Sequence, residues 1–204
     1  MAEVVQMRCP KNHVHWAATQ AKAADCGPTC ISIVLNRISH PQADTSIADI
    51  RQLSAKYDGH YRPAVKDVVK GSSPQIAMLA QVIKSDLGSG RDGTMSGNLA
   101  RILVNDFGLA NTIHTQAASG AALKAIIKRN VTPTILHVTW SNGAGHFIVA
   151  DGRESHWIGF SDYCFSDPFY GLVSHKLNDG ARSEYRPAPN TVGTFSGWHI
   201  SNIS

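Results

Sequence analysis

One cysteine, Cys26, lies at a position where the start of a helix would increase its reactivity. The stretch KAADCGPTC places Cys26 at the start of a predicted helix, which Asp25 can cap. Gly27 allows a tight backbone turn and Pro28 suits a first helical turn. The apolar run TCISIVLNRI then predicts a buried helix from about Gly27 to Arg37. Because unpaired N–H groups and the helix dipole stabilise a thiolate, Cys26 is the candidate nucleophile.

A thiolate nucleophile needs a basic partner, and His146 has the best setting among the ten histidines. In SNGAGHFIVADG, two glycines leave room at the start of a strand and the apolar run anchors that strand in a sheet. Asp167, in SDPFYG, follows 21 residues later and is the candidate that orients the imidazole. A turn near DGRESH would place the two strands side by side. Asp162 is a rival orienter, and its odd spacing from Asp167 points the two to opposite faces of a regular strand.

Gln20 precedes Cys26 by six residues, and its amide could form an oxyanion hole with the Cys26 backbone N–H. Gln20, DCGPTC, GHFIVADG and DPFYG, in this order, resemble the papain-like cysteine peptidase superfamily. The chain is most similar to bacteriocin-processing, double-glycine-type peptidases, over roughly residues 20–172. The resemblance implies a papain-like fold, with Cys26 as nucleophile, His146 as base, Asp167 as orienter and Gln20 in the oxyanion hole.

The sequence also departs from that pattern. The stretch between Cys26 and His146 is long, with predicted loops at 57–75 and 88–97 that look inserted. No ABC-transporter segment follows, so the substrates of exporter peptidases are not implied. In outline, the chain is similar to free-standing papain-like effectors and toxins that cut or deamidate host proteins.

The leading prediction is therefore a cysteine peptidase that acts on a protein or peptide through a thioester. Two alternatives stay open. The first is a glutamine deamidase, transglutaminase or peptidoglycan amidase with the same triad, and the second is a binding module on an inactive scaffold. No cofactor or metal is expected: Cys26 and Cys30 lack paired zinc ligands elsewhere, and HVH at 13–15 is the other candidate cluster.

Other chemistry-bearing residues have simpler interpretations. Cys30 is predicted to lie in the core, and His137 to be a hydrogen-bonded histidine inside a sheet. Asp151 resembles a turn residue. The remaining histidines are most simply surface residues: His13, His15, His40, His60, His114, His156, His175 and His199.

The elements that must position these residues follow an α+β order in one domain: an N-terminal arm (1–19, irregular to about residue 25), a helical part (20–130) and a β-sheet part (131–204). After the Cys26 helix, further helices are predicted at 46–57, where Ser46 and Asp49 form a capping box, and at 72–88, 96–108 and 119–130. Strands are predicted at 131–140, 145–152, 156–165, 170–175 and 191–200.

Composition narrows the class of protein. The 204 residues are 43% hydrophobic and 17% charged, as in an ordinary globular domain. The net charge of +4 is scattered, which argues against a nucleic-acid surface. No apolar run approaches a membrane span, and the N-terminus lacks a Sec-type signal. The four cysteines do not form a disulfide framework. The protein is therefore expected in the cytosol, or exported by a route without a Sec signal peptide.

Overall fold

A computed structural model describes residues 4–9, 12–20, 25–58, 94–157 and 160–204, with side chains described throughout these ranges except at 55, 58 and 152–162. The helices within these ranges are α1 (Cys26–Arg37), α2 (Ile47–Asp58), α3 (Ser96–Asn105) and α4 (Gly120–Arg129). The strands are β1 (Val5–Arg8), β2 (Val14–Ala17), β3 (Ile113–Gln116), β4 (Thr134–Trp140), β5 (Gly145–Trp157), β6 (Phe160–Asp167), β7 (Gly171–His175), β8 (Glu184–Ala188) and β9 (Thr191–Ser201). The predicted α+β class is confirmed.

Seven strands form one antiparallel sheet that carries the second half of the candidate site. The strand order is β3–β9–β4–β5–β6–β7, and β8 pairs with β9. β4 and β5 pair without a break from Thr134 opposite Ala150 to Thr139 opposite Gly145. His146 therefore lies at the start of a strand that is held on both sides, by β4 and by β6.

The central strand β5 is apolar on both faces because each face of the sheet has its own core. Phe147 and Val149 pack in a cluster with residues of α1 and α3, whereas Ile148 and Ala150 pack in a second cluster with residues of α4. Alternate side chains of a strand point to opposite faces, so an unbroken apolar run is expected where both faces are covered. Helix α1, which begins at Cys26, packs against the first of these faces.

Several predicted elements are confirmed by the structure. The N-terminus of α2 has the predicted capping box: Ser46 Oγ accepts from the Asp49 N–H at 3.1 Å and donates to Asp49 Oδ2 at 2.6 Å. Helices at 96–108 and 119–130 are present with shorter bounds. The predicted helix at 72–88 lies outside the described residues, as do most of the predicted loops at 57–75 and 88–97. Of the described ends of those loops, residues 57–58 belong to α2 and residues 96–97 to α3.

The prediction of an irregular N-terminal arm is wrong for the described residues, because β1 and β2 form an antiparallel hairpin. Its turn is held by the Cys9 N–H donating to the His13 carbonyl at 3.0 Å and the Asn12 N–H donating to the Cys9 carbonyl at 2.8 Å. The hairpin packs against β6, where Ser166 Oγ donates to the Trp16 carbonyl at 2.7 Å. All four side chains of β1 are exposed, so this strand lacks the alternation that identifies a strand in sequence.

The predicted turn near residues 151–156 is also wrong. Strand β5 continues through this stretch, with a shift of register between Ala150 and Glu154, and Trp157 pairs with Phe160 on β6. Asp151 is consequently a buried strand residue and not a turn residue. Its carboxylate accepts from Arg37 Nε at 2.6 Å, which explains why a charged side chain can be buried there.

Within the described ranges, every helix is too short or too polar to span a lipid bilayer.

Candidate active site

Cys26 is the first residue of α1 and is 9% exposed. Asp25 precedes the helix but does not cap it through its side chain, which corrects the sequence-based expectation. The fully buried Asp25 carboxylate instead binds the Arg51 guanidinium of α2 through two hydrogen bonds, one of them from Nε at 2.5 Å. Gly27 is needed for packing, since a Cβ there would lie 2.9 Å from Cδ2 of Leu99 on α3. The start of α1 therefore contacts α2 through the Asp25–Arg51 pair and α3 through the packing of Gly27 on Leu99.

His146 and Asp167 meet because of the register of β5 and β6. Val149 on β5 pairs with Ser166 on β6, so Asp167 lies opposite the residue two positions after His146. The side chains of His146 and Asp167 are therefore on the same face of the sheet. His146 Nε2 and Asp167 Oδ1 are 2.9 Å apart, and both side chains are almost fully buried. A carboxylate only accepts hydrogen bonds, so Nε2 carries the hydrogen and Nδ1 is left for another partner.

The His146 ring also hydrogen-bonds the side chain of Cys26. Burial lowers the pKa of His146, but the hydrogen bonds to Asp167 and Cys26 and the charges of both outweigh burial and raise this pKa to about 9. At neutral pH the imidazole therefore holds a proton between a carboxylate and a thiol. This is the electrostatic arrangement that favours a thiolate–imidazolium pair.

Asp167 is held by three further donors that sequence reasoning did not identify. Oδ1 accepts from the backbone N–H groups of Phe169 and Tyr170 at 2.7 and 3.1 Å. Oδ2 accepts from the hydroxyl of Tyr185 on β8 at 2.7 Å. Burial and the neighbouring Asp167 charge raise the pKa of Tyr185 far above its usual value, so its hydroxyl stays a donor. The carboxylate is therefore fixed in position by hydrogen bonds.

Trp140 forms one wall of the site. Its ring stacks on His146, with ring centroids 5.3 Å apart and an interplanar angle of 28°. The opposing residue on β9 is Gly193, where a Cβ would lie 2.7 Å from the Trp140 ring. The absence of a side chain at Gly193 thus lets the indole lie flat against the sheet. The register of β4 and β9, which places Trp140 opposite Gly193, is what brings this tryptophan to the site.

The other predicted site residues lie at different distances from this pair. Gln20 is linked to the end of β6, because its backbone N–H donates to the Pro168 carbonyl at 2.7 Å. The backbone of Asp162 pairs with Ser155, about 16 Å along the strand from Asp167. The side chain of Asp162 lies outside the described residues.

Two neighbouring residues behave as the sequence predicts. Cys30 is fully buried, and burial together with the charges of Cys26 and Asp167 raises the pKa of its thiol well above the usual value. His137 is buried in β4 and hydrogen-bonds Ser196 Oγ at 2.8 Å. Two histidines expected at the surface, His15 and His199, are instead buried.

No protein-family model matches the chain, and no curated protein sequence is significantly similar to it. The geometry of the site is therefore the basis for assigning a function.

Removal of the Tyr185 hydroxyl by Tyr185→Phe is expected to lower stability by about 1.5–3 kcal/mol, since a hydrogen bond to a buried carboxylate is lost. The rate of Cys26 alkylation at neutral pH should fall about tenfold, because Asp167 is then held less firmly against His146. Denaturant unfolding and the alkylation rate measure the two effects.

Tyr57→Phe is the matched control, because the Tyr57 hydroxyl donates to Asp106 Oδ2 at 2.8 Å, outside the site. It should lose stability without a change in the alkylation rate. Equal alkylation rates in the two variants would show that Tyr185 has only a structural role.

Proposed function

We propose that this protein is a cysteine peptidase with a papain-like fold, which hydrolyses peptide bonds through Cys26, His146 and Asp167. One observation carries the proposal: the same buried imidazole lies 2.9 Å from an aspartate and hydrogen-bonds a cysteine at the N-terminus of a helix. A structural cysteine needs no such partners, whereas a thiol nucleophile needs all of them. The order of the elements, with the cysteine on a helix and the other two residues on an antiparallel sheet, supports the papain-like assignment.

Each group has a distinct role in the proposed reaction. The Cys26 thiolate attacks the carbonyl carbon, and the oxygen of the tetrahedral intermediate is stabilised by the Cys26 backbone N–H and the Gln20 amide. Protonated His146 then donates its proton to the departing amine, which leaves a thioester on Cys26. His146, now neutral, takes a proton from water as the water attacks the thioester, and the free acid is released. Asp167 orients the ring and stabilises its positive charge at both stages.

The restricted access to Cys26 supports a second candidate within the same chemistry. Cys26 is only 9% exposed and Trp140 stacks on His146, and a single side chain needs less open space than an extended backbone. A glutamine deamidase or transglutaminase would bring a side-chain amide to the same thiolate and form the same thioester. With water as the acceptor, this thioester gives glutamate; with an amine, it gives a cross-link. A peptidoglycan amidase is the third member of this group.

The deciding experiment treats a protein lysate with the wild-type protein or with Cys26→Ala and maps new N-termini without assuming a substrate. New N-termini that require Cys26 support the peptidase. A gain of about one mass unit at glutamine, without cleavage, would assign the protein as a deamidase instead. No Cys26-dependent change in cleavage, amide content or cross-linking would support a binding module on an inactive scaffold.

A further inference from the structure

A second group of reactive side chains lies outside the candidate active site. Cys9 at the turn of the N-terminal hairpin, His15 on β2 and Cys164 on β6 are all buried. One ligand atom from each, the two Sγ atoms and a ring nitrogen, lies within 4.8 Å of the other two. The proposed peptidase chemistry uses none of these three residues. Their convergence across 155 positions of sequence therefore needs its own explanation.

His15 is the most informative member of this cluster. It is only 1% exposed, and its Nδ1 lies 3.1 Å from Asp151 Oδ2, which fixes one side of the ring. Its Nε2 is enclosed by protein, and the partners of this ring besides Asp151 are the thiols of Cys164 and Cys9. A buried imidazole that faces two buried thiols presents the donor atoms of a metal site.

We infer that Cys9, His15 and Cys164 bind a zinc ion. Two thiolates and an imidazole are the ligands that Zn²⁺ prefers in proteins. Tetrahedral angles and a Zn–S distance of about 2.3 Å place two ligating sulfurs about 3.8 Å apart, which is compatible with ligand atoms that lie within 4.8 Å of one another. The two thiols lose their protons on binding, and a fourth ligand completes the coordination.

The surroundings of His15 resemble those of a metal-binding histidine. Such a histidine commonly donates its second nitrogen to a carboxylate, which sets the orientation of the ring. Asp151 has this position, and Arg37 Nε holds the same carboxylate at 2.6 Å. This role explains why a charged residue, Asp151, lies in the middle of β5 although the peptidase mechanism does not require it.

The zinc ion would fasten the N-terminal hairpin to the sheet. The ligands come from the hairpin and from β6, which are otherwise joined here by the hydrogen bond from Ser166 to the Trp16 carbonyl. Strand β6 ends at Asp167, and the hairpin leads into Gln20, so the ion would hold together two segments that enter the candidate active site. This inference is independent of the proposed function, since it does not use Cys26 or His146.

The test uses the full chain in a Cys26→Ala background, kept reduced and stripped with a chelator, and then titrated with Co²⁺. We expect one Co²⁺ per chain, with visible bands of a tetrahedral ion and an ultraviolet charge-transfer band from two thiolates. Cys9→Ala and Cys164→Ala should each halve the charge-transfer band. Cys30→Ala is the matched control, a buried cysteine outside the cluster, and should leave the band unchanged.

Zinc should displace the cobalt and raise Tm in the parent protein and in Cys30→Ala, but much less in Cys9→Ala or Cys164→Ala. The parent titration decides the matter even if a variant fails to fold. Absence of the charge-transfer band in the parent, or a band that Cys9→Ala and Cys164→Ala leave intact, would overturn the inference. A Cys9–Cys164 disulfide in chelator-free protein purified without reductant would also overturn it.

Discussion

Cys26→Ala is expected to abolish covalent labelling by a thiol-reactive epoxide and to lower kcat/KM on a cleaved peptide by about 10⁴-fold or more. The loss is large because the Cys26 sulfur forms the thioester. His146 and Asp167 assist this nucleophile but do not replace it. The fold should be retained, since alanine suits a helix start and is only slightly smaller than cysteine. Intact mass of the labelled protein and steady-state kinetics are the measurements.

Cys30→Ala is the matched control for this experiment, because Cys30 lies one turn further along α1 and is fully buried. Burial and two nearby negative groups keep its thiol protonated, so its removal should leave labelling at Cys26 intact. An epoxide adduct on Cys30 would mean that the reactive face of α1 has been misassigned. A Cys26→Ala protein that loses its circular dichroism signal would indicate a structural cysteine, and an unlabelled wild type would favour the inactive scaffold.

The features that depend on residues close together in the sequence were predictable from it. The capping box of Ser46 and Asp49 involves residues three apart, and the structure contains the predicted bonds. The start of α1 at Cys26 follows from Pro28 and the apolar run behind it. The apolar run of β5 likewise identified the sheet strand that carries His146.

What sequence could not predict depends on contacts between distant segments. Asp25 has the residue type and position of a helix cap, but Arg51 binds its carboxylate from 26 residues away. Tyr185 reaches Asp167 from a strand whose place in the sheet is set by pairing with β9. Strand β5 continues past Asp151 with a shift of register, and Arg37 binds the Asp151 carboxylate from 114 residues away. None of these partners leaves a local pattern.

The role of Asp167 can be tested through the pH dependence of the reaction. Its hydrogen bond and charge help to raise the pKa of His146 to about 9, so the imidazole should stay protonated, and activity should persist, up to that pH. Asp167→Asn removes the negative charge that favours the protonated ring. The pKa of His146 should therefore fall, and the alkaline limb of kcat/KM should move to lower pH by about one pH unit or more.

The rate at the optimum should also fall, by up to about 10⁴-fold, because an amide can hold the imidazole in the wrong tautomer. Steady-state kinetics across pH and a direct NMR titration of His146 would measure both effects. Asp162→Asn is the matched control, since it makes the same change on the same strand about 16 Å away. It should leave both the rate and the alkaline limb as in the wild type. If Asp162→Asn moved the limb and Asp167→Asn did not, the 2.9 Å contact between His146 and Asp167 would be structural, and Asp162 would take the orienting role.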